Sequence, residues 1–515
     1  MDDSNTRDLE LRSIAWGASI EFLFLGLSYA IMFLFRLVGA RIYGSELYGA
    51  FSLVETLFGI GILLGSAGIT NGIVAIAPRY LIGSAKRNFN QYFTFVLLFC
   101  AISSLLITGT ALLFSGEIVS LFNTIPTFET LFLLVTVAIP FRILGDAFGG
   151  FLIATRNIYW NAISLHLLEK GSLLLGALAC YAFSLPLFYL VLFFVFSVTI
   201  RFVSASLFFV RKEAPKWISD LERSKIKGWL EFSLPLFLTG ILAYAIAWID
   251  NLFLGIMRNP SELGVYAIAY SVALFLLMFQ TSLGTIFTPV VSSNIEAKKF
   301  AVAKRLFSRV SLWAIMVTIP VLAIIGVYSK QVLLLLFGGA YTGGSVALSV
   351  LCIFLLPVII FGFSNNLLLV LGKTRSIFLI NSGTAILNII LNGLLIPIYG
   401  IMGAAMATGL SFSFRSVFQF AAVKKSFDLV ISWMGVTKVF AASFPSIIVM
   451  VFVYRFFHNV ILSLIFSSVV FALTYIAVLV ILRFFNAEDF EVIVAIEEKF
   501  GRKFTLLRKL IEWLY

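Results

Sequence analysis

Apolar runs of 18 to 25 residues recur along this chain, at Tyr92–Phe114, Leu187–Phe209, Ser308–Tyr328 and Ile461–Leu482 among others. Each is long enough to cross roughly 30 Å of hydrocarbon as a helix. Lipid offers no hydrogen bonds to a backbone, so runs of this length confine the chain to helices that satisfy their own peptide groups. Of its 515 residues 61% are hydrophobic and 12% charged, more apolar surface than a water-soluble domain can bury. The chain reads as an all-α polytopic membrane protein. Met1–Arg12 is polar, and the apolar run after it is too long for a signal-peptide core. Cys100, Cys180 and Cys352 each sit inside an apolar run and read as small buried side chains.

The pattern predicts fourteen spans, near 14–35, 48–76, 92–114, 129–152, 160–183, 187–210, 229–254, 263–288, 308–328, 345–371, 376–397, 400–423, 436–456 and 460–482. An even number puts both ends on one side. Lys and Arg then gather on that side, in the loops around Arg79, Lys86, Arg87, Arg156, Arg211–Lys227, Lys298–Arg305, Lys373, Arg375, Lys424 and Lys425. The other side holds Arg36, Arg41, Arg258, Lys330 and Arg455, a bias of roughly five to one that predicts cytoplasmic termini and a plasma-membrane location. The net charge of +12 thus belongs to topology, and no nucleic-acid partner is expected.

One polar corner is written twice. Arg41–Leu53 contains Ser45-Glu46-Leu47, and Arg258–Tyr270 contains Ser261-Glu262-Leu263, 216 residues later. Two further pairs fall near the same offset: Phe151–Ile158 with Leu367–Ser376, and Pro78–Asn88 with Pro289–Ala301. Six spans per copy give copies of like orientation, hence two parallel-related six-helix bundles around a central cavity, with an appended helix pair. The expected domains are 1–216, 217–432, the pair at 433–484, and a tail at 485–515. In the tail Ile493, Ile496, Phe500, Phe504, Leu507, Ile511 and Leu514 recur at helical spacing among basic residues. Such a helix lies on the inner membrane surface or docks on the protein's own cytoplasmic face.

Arg36–Ala50, Glu262–Tyr270, Pro289, Phe337–Thr342, Leu371–Arg375 and above all Asn388–Gly409 carry a resemblance. Over roughly residues 10 to 425 the chain resembles the oligosaccharide flippase (polysaccharide transporter) branch of the multidrug/oligosaccharidyl-lipid/polysaccharide exporter superfamily. That resemblance implies export of a polyprenyl-diphosphate-linked or related lipid-linked sugar by alternating access. It also makes Arg36 the basic residue of the first span that helps hold phosphate.

Ionisable groups within spans are costly and mark candidate sites. The first six spans carry Glu21, Glu55, Arg142, Asp146, His166, Glu169, Lys170 and Arg201; the next six carry Asp250 and Arg415. Arg142 and Asp146, four apart, can pair on one helix face. Arg201 and Arg415 read as snorkelling residues near span ends, and Asp250 as a solvated rim residue. Glu169 and Lys170 lie about 15 Å into their span, beyond snorkelling reach. Adjacent helical residues point about 100° apart, so the two are not expected to neutralise one another. His166 reads as a hydrogen-bonded packing residue. The substrate-binding candidates are therefore Lys170, Arg142 and Arg36, cations suited to phosphate. Glu21, Glu55, Asp146, Glu169 and Asp250 are the candidates for ion coupling or cavity carboxylates.

A flippase for a lipid-linked oligosaccharide fits best, with membrane lipids as surroundings and a single chain as the working unit. Moving about two negative charges outward against ~100 mV releases roughly 4–5 kcal/mol, so a proton or sodium counter-ion is allowed but not required. The alternative is an ion-coupled multidrug exporter on the same scaffold, which Arg142 and Lys170 oppose. A membrane glycosyltransferase needs a polar catalytic domain, and the longest loop here, near 211–228, is short and basic. No enzyme activity, cofactor or metal is expected.

Overall fold

The structure is a computed structural model describing residues 3–81, 86–213, 215–218, 220–429, 431–457 and 459–484, with side chains from Phe24 onward except at 86, 285 and 286. The tail at 485–515 and the Glu21 side chain lie outside the described residues. Twelve described helices are long and apolar enough to cross a membrane, and a thirteenth crossing comes from Pro260–Phe275 with Met278–Glu296, bent by 42°. The first candidate, Phe24–Ser66, is 43 residues long. At 1.5 Å per residue it extends about 65 Å, twice a hydrocarbon core. It is broken at Gly44, whose φ of 68° and ψ of −179° leave the helical region. Divided there, the segments number fourteen. Only glycine adopts that conformation without strain, so Gly44→Ala is expected to cost about 1–3 kcal/mol and to lower the unfolding temperature in detergent.

The chain packs as two units. The first comprises Met1–Ile268 with Asn392–Ile401. Part of its core is aromatic: Phe93 meets Phe151 at 5.2 Å between ring centroids, and Phe209 sits 5.5 Å from both. The segment after helix Leu187–Glu213 is sewn to the start of helix Lys86–Leu113. Lys216 N donates to Asn90 Oδ1 at 3.3 Å, Ile218 N to Thr94 Oγ1 at 3.1 Å, and Gln91 Nε2 to the Asp220 carbonyl at 2.8 Å. Helix Arg223–Met257 then runs along the first helix, where Asn251 Nδ2 donates to Thr56 Oγ1 at 3.1 Å.

The second unit comprises Ala269–Leu391 and Met402–Tyr515, described to residue 484. Here helix Phe300–Val327 receives the last two spans, Trp433–Tyr454 and Val460–Ile481, which pack against one another. Tyr328 Oη donates to the Met450 carbonyl and Tyr475 Oη to the Met316 carbonyl, each at 3.0 Å.

Candidate functional site

Three helices of the first unit meet where none of them is apolar. Helix Ile139–Ala154 turns a buried face of Gly145, Ala147, Gly149 and Gly150 toward its neighbours, and packs on helix Leu187–Glu213. A Cβ at Gly149 would overlap Arg201 Nη2 and stand 2.7 Å from Asn161 Oδ1, so the glycine leaves the space that the guanidinium fills. The span between these two, Ile158–Phe183, changes from α to π winding over Ile163–Glu169. A π turn widens the helix and re-aims its side chains. It ends at Glu169, which is buried with His166 and Ser164.

Arg142, Glu169, Lys170 and Arg201 all lie within two residues of the middle of their spans, Phe128–Ala154, Ile158–Phe183 and Leu187–Glu213. One carboxylate oxygen joins two cations: Glu169 Oε1 accepts from Arg142 Nη1 at 2.7 Å and from Lys170 Nζ at 2.8 Å. Arg142 Nε donates to Asp146 Oδ2 at 2.9 Å. Arg201 Nη2 donates to Asn161 Oδ1 at 3.1 Å and stands 3.7 Å from Asp146 Oδ1, while its Nε stands 3.9 Å from Glu169 Oε2. The side chains of Glu169 and Arg201 are 3% and 4% exposed, whereas those of Arg142 and Lys170 are 21% and 22% exposed. Three cations thus share two carboxylates, with Glu169 and Arg201 buried behind, and Arg142, Lys170 and the Asp146 carboxylate, 27% exposed, on the accessible side. Chemically this is a receptor for one more negative group.

The structure brings together Arg142, Asp146, Glu169 and Lys170, and adds Arg201. Four expectations are corrected. Arg201 does not snorkel: its helix continues to Glu213, so the residue sits mid-span and is held by charge and by Asn161. Glu169 and Lys170 do contact one another, because the four-carbon lysine stem curls back along the end of the π turn to the neighbouring carboxylate. Asp250 is not a solvated rim residue; it is 2% exposed, accepts from Tyr266 Oη, and accepts at 3.0 Å from Asn251 N. Arg36 and Glu55 are half-buried on the first helix, eight residues before and eleven after Gly44. Arg415, in the second unit, does not snorkel either: it sits within one residue of the middle of helix Ile401–Phe427 and stacks 4.9 Å from the Phe412 ring centroid. Sequence reasoning missed Asn161, an uncharged residue that a search for charges passes over.

The repeated corner forms a second feature of the same unit. Ser45 Oγ and Ser261 Oγ are 2.6 Å apart. A Cβ on Gly49 would overlap the Pro260 carbonyl oxygen and lie 2.8 Å from Gly264 N. Reciprocally, a Cβ on Gly264 would overlap the Ser45 carbonyl oxygen and lie 2.9 Å from Gly49 N. Each corner is therefore the other's partner, around a local twofold. Beside it Arg258 Nη2 donates to the Ile396 and Pro397 carbonyls at 2.8 Å each, and Asn123 reaches the Gly255 and Ile256 carbonyls at 2.9 Å each.

The model of the family described as polysaccharide biosynthesis protein matches residues 14–295, and the MatE model matches residues 235–394. The probable low-salt glycan biosynthesis flippase Agl15 of Haloferax volcanii is 29% identical over 182 residues, 35% of this chain and 38% of that protein. The probable flippase AglR of the same organism is 27% identical over 206 residues, 39% of this chain and 40% of that one. The chain thus aligns with about two fifths of the length of these relatives. Among solved structures, the lipid II flippase MurJ in an inward closed conformation superposes with a TM-score of 0.75 at 16% identity, covering 90% of this chain and 98% of that one. An inward-facing multidrug resistance MATE family transporter of the MOP superfamily gives 0.65 at 14% identity, covering 80% and 98%. These likenesses establish the fold: a multi-pass, all-helical membrane protein.

Proposed function

The chain belongs to the polysaccharide biosynthesis protein family, and on that premise we propose that it moves a lipid-linked oligosaccharide or polysaccharide precursor across the cytoplasmic membrane by alternating access. The observation that carries this reading is the mid-span cluster, where three cations share two carboxylates and the accessible side, two cations with Asp146, keeps a net positive charge. Sugar and phosphate cannot cross hydrocarbon unaided, whereas an isoprenoid tail remains in lipid throughout. The protein must supply a polar station at mid-depth that attracts phosphate and releases it. Arg142 and Lys170 are that station, with Glu169, Asp146 and Arg201 holding them in place. The two Haloferax volcanii relatives, each described as a probable flippase, support this direction.

The seated Ser45–Gly49 and Ser261–Gly264 corners close one end of the first unit, and their separation accompanies opening on that side. By the distribution of Lys and Arg this is the outer side, with both termini cytoplasmic. A proton or sodium ion at the buried Asp250 or the half-buried Glu55 is the coupling arrangement that these carboxylates allow. The MatE match favours a second reading, export of drugs. The excess of cations in the cluster opposes it for cationic compounds, which seek acidic cavities.

The test is transport by the purified protein in proteoliposomes carrying a fluorescent polyprenyl-diphosphate-linked sugar. Lys170→Ala removes one of two accessible charge-assisted hydrogen-bond donors and should slow translocation about tenfold at unchanged protein yield. Equal rates in parent and variant would remove Lys170 from the site.

A further inference from the structure

Within the cluster two buried polar atoms face one another without a hydrogen bond. Glu169 Oε2 and Arg201 Nε each lack a hydrogen-bond partner, and they stand 3.9 Å apart. Buried ionic groups left in this state are costly, since the contact that would satisfy both lies only about 1 Å away. Oε1 of the same carboxylate lies on the opposite side, engaged at 2.7 and 2.8 Å by Arg142 and Lys170. Those two donors already converge on a single oxygen.

We infer that Glu169 is a resident surrogate for a phosphate oxygen: an incoming phosphate takes its place on Arg142 and Lys170, and the displaced carboxylate closes onto Arg201. The inference rests on the reading of the cluster as the anion station and deepens it by naming how the station is loaded and emptied. Arg142 stays aimed during the exchange, because its Nε remains on Asp146 at 2.9 Å. Arg201 is a fixed receiver, held by Asn161 Oδ1 at 3.1 Å in the space left by Gly149. The ligand arrives from the accessible side, where Arg142 and Lys170 are about one-fifth exposed beside the Asp146 carboxylate, itself 27% exposed and held on Arg142 Nε, and Glu169 withdraws to the buried side. Release reverses the movement. The carboxylate competes for the same donors, so the phosphate is held firmly enough to load and weakly enough to leave. Glu169 and Arg201 act through the two donors and never touch the ligand; they are positioning residues.

A double-mutant cycle on the purified full chain tests this, with inorganic pyrophosphate and farnesyl diphosphate as probes and binding read by equilibrium dialysis. Glu169→Gln removes the competitor and should tighten binding of pyrophosphate about tenfold, the scale of one charge-assisted hydrogen bond no longer displaced. Arg201→Lys keeps the charge but removes the Nε donor, so it should weaken binding about tenfold while residue 169 is glutamate. In the Glu169→Gln background the same lysine should have no effect, because no carboxylate remains to be received. An equal effect of Arg201→Lys in both backgrounds overturns the exchange, as does weaker binding in Glu169→Gln. If the lysine variant does not fold, difference infrared spectroscopy of the parent decides. Pyrophosphate should shift a carboxylate band that is missing from Glu169→Gln, and the lack of any such shift rejects the movement. Farnesyl diphosphate binding tighter than pyrophosphate assigns the phosphate to a lipid; equal binding assigns it to a free anion. Neither readout involves transport, so failure of the flippase reading leaves the cycle interpretable, and the reverse holds as well.

Discussion

A valine at Gly264 should prevent the two polar corners from seating and should stop transport. The Cβ of any larger residue there overlaps the backbone carbonyl of Ser45, which cannot turn aside as a side chain can. One of the two helix starts must therefore move. Overpacking against backbone costs about 1.4–3 kcal/mol or more, which makes the seated arrangement about ten- to a hundredfold rarer. The occupancy of that arrangement can be read directly. Cysteines introduced by Ser45→Cys and Ser261→Cys replace hydroxyls 2.6 Å apart, and should oxidise to a disulfide readily in the parent. The native Cys100, Cys180 and Cys352 are buried and do not compete. With Gly264→Val added, both cross-link yield and lipid-linked sugar transport should fall together, at least about tenfold. Gly49→Val should do the same, since its Cβ meets the Pro260 carbonyl in the reciprocal position. High cross-link yield in either valine variant would show that the corners meet without the glycines.

The corner shows what sequence can and cannot disclose. Its repetition was legible because Ser-Glu-Leu recurs at an offset that two other segment pairs share. That the two copies clasp one another was not, since a repeat fixes likeness and says nothing of contact. The spans themselves were written plainly in apolar length, and even the sharp turn at Gly44 coincided with a glycine between two runs. Mid-span charge was equally plain for Arg142, Glu169 and Lys170. Arg201 was misread although the expected span 187–210 already placed it nine residues, about 14 Å, from the nearer end; the carboxylates and Asn161 that hold it there lie on other helices. The contact between Glu169 and Lys170 was lost for another reason. Angular separation on an ideal helix ignores both the π winding at Ile163–Glu169 and the reach of a lysine stem, and no proline or glycine announces the π segment. Asp250 looked solvated because depth along a span was the only guide to burial; its partner Tyr266 lies on the next helix.

Replacing Glu169 by leucine should be among the most destabilising single changes in the first unit. The carboxylate is 3% exposed and stands against Arg142, Lys170 and Arg201; without it three cations are left with Asp146 alone. Breaking a buried ion pair by removing one partner costs about 3–5 kcal/mol, because the remaining charge stays desolvated. The expected result is a marked fall in unfolding temperature in detergent and a lower yield of folded protein. Arg201→Met should cost less, since Glu169 keeps Arg142 at 2.7 Å and Lys170 at 2.8 Å. Combined, Glu169→Leu with Arg201→Met should recover part of the lost stability, because the pair together leaves behind one uncompensated charge fewer than Glu169→Leu alone. A double variant no more stable than Glu169→Leu would deny that the two residues face one another energetically. The double variant also separates folding from transport. It retains Arg142 on Asp146 and an unobstructed Lys170, so it should still bind pyrophosphate, yet it has lost the carboxylate that displaces the anion. Loading without unloading is the consequence: bound phosphate should dissociate more slowly than from the parent, and lipid-linked sugar translocation should be slowed although the fold is restored.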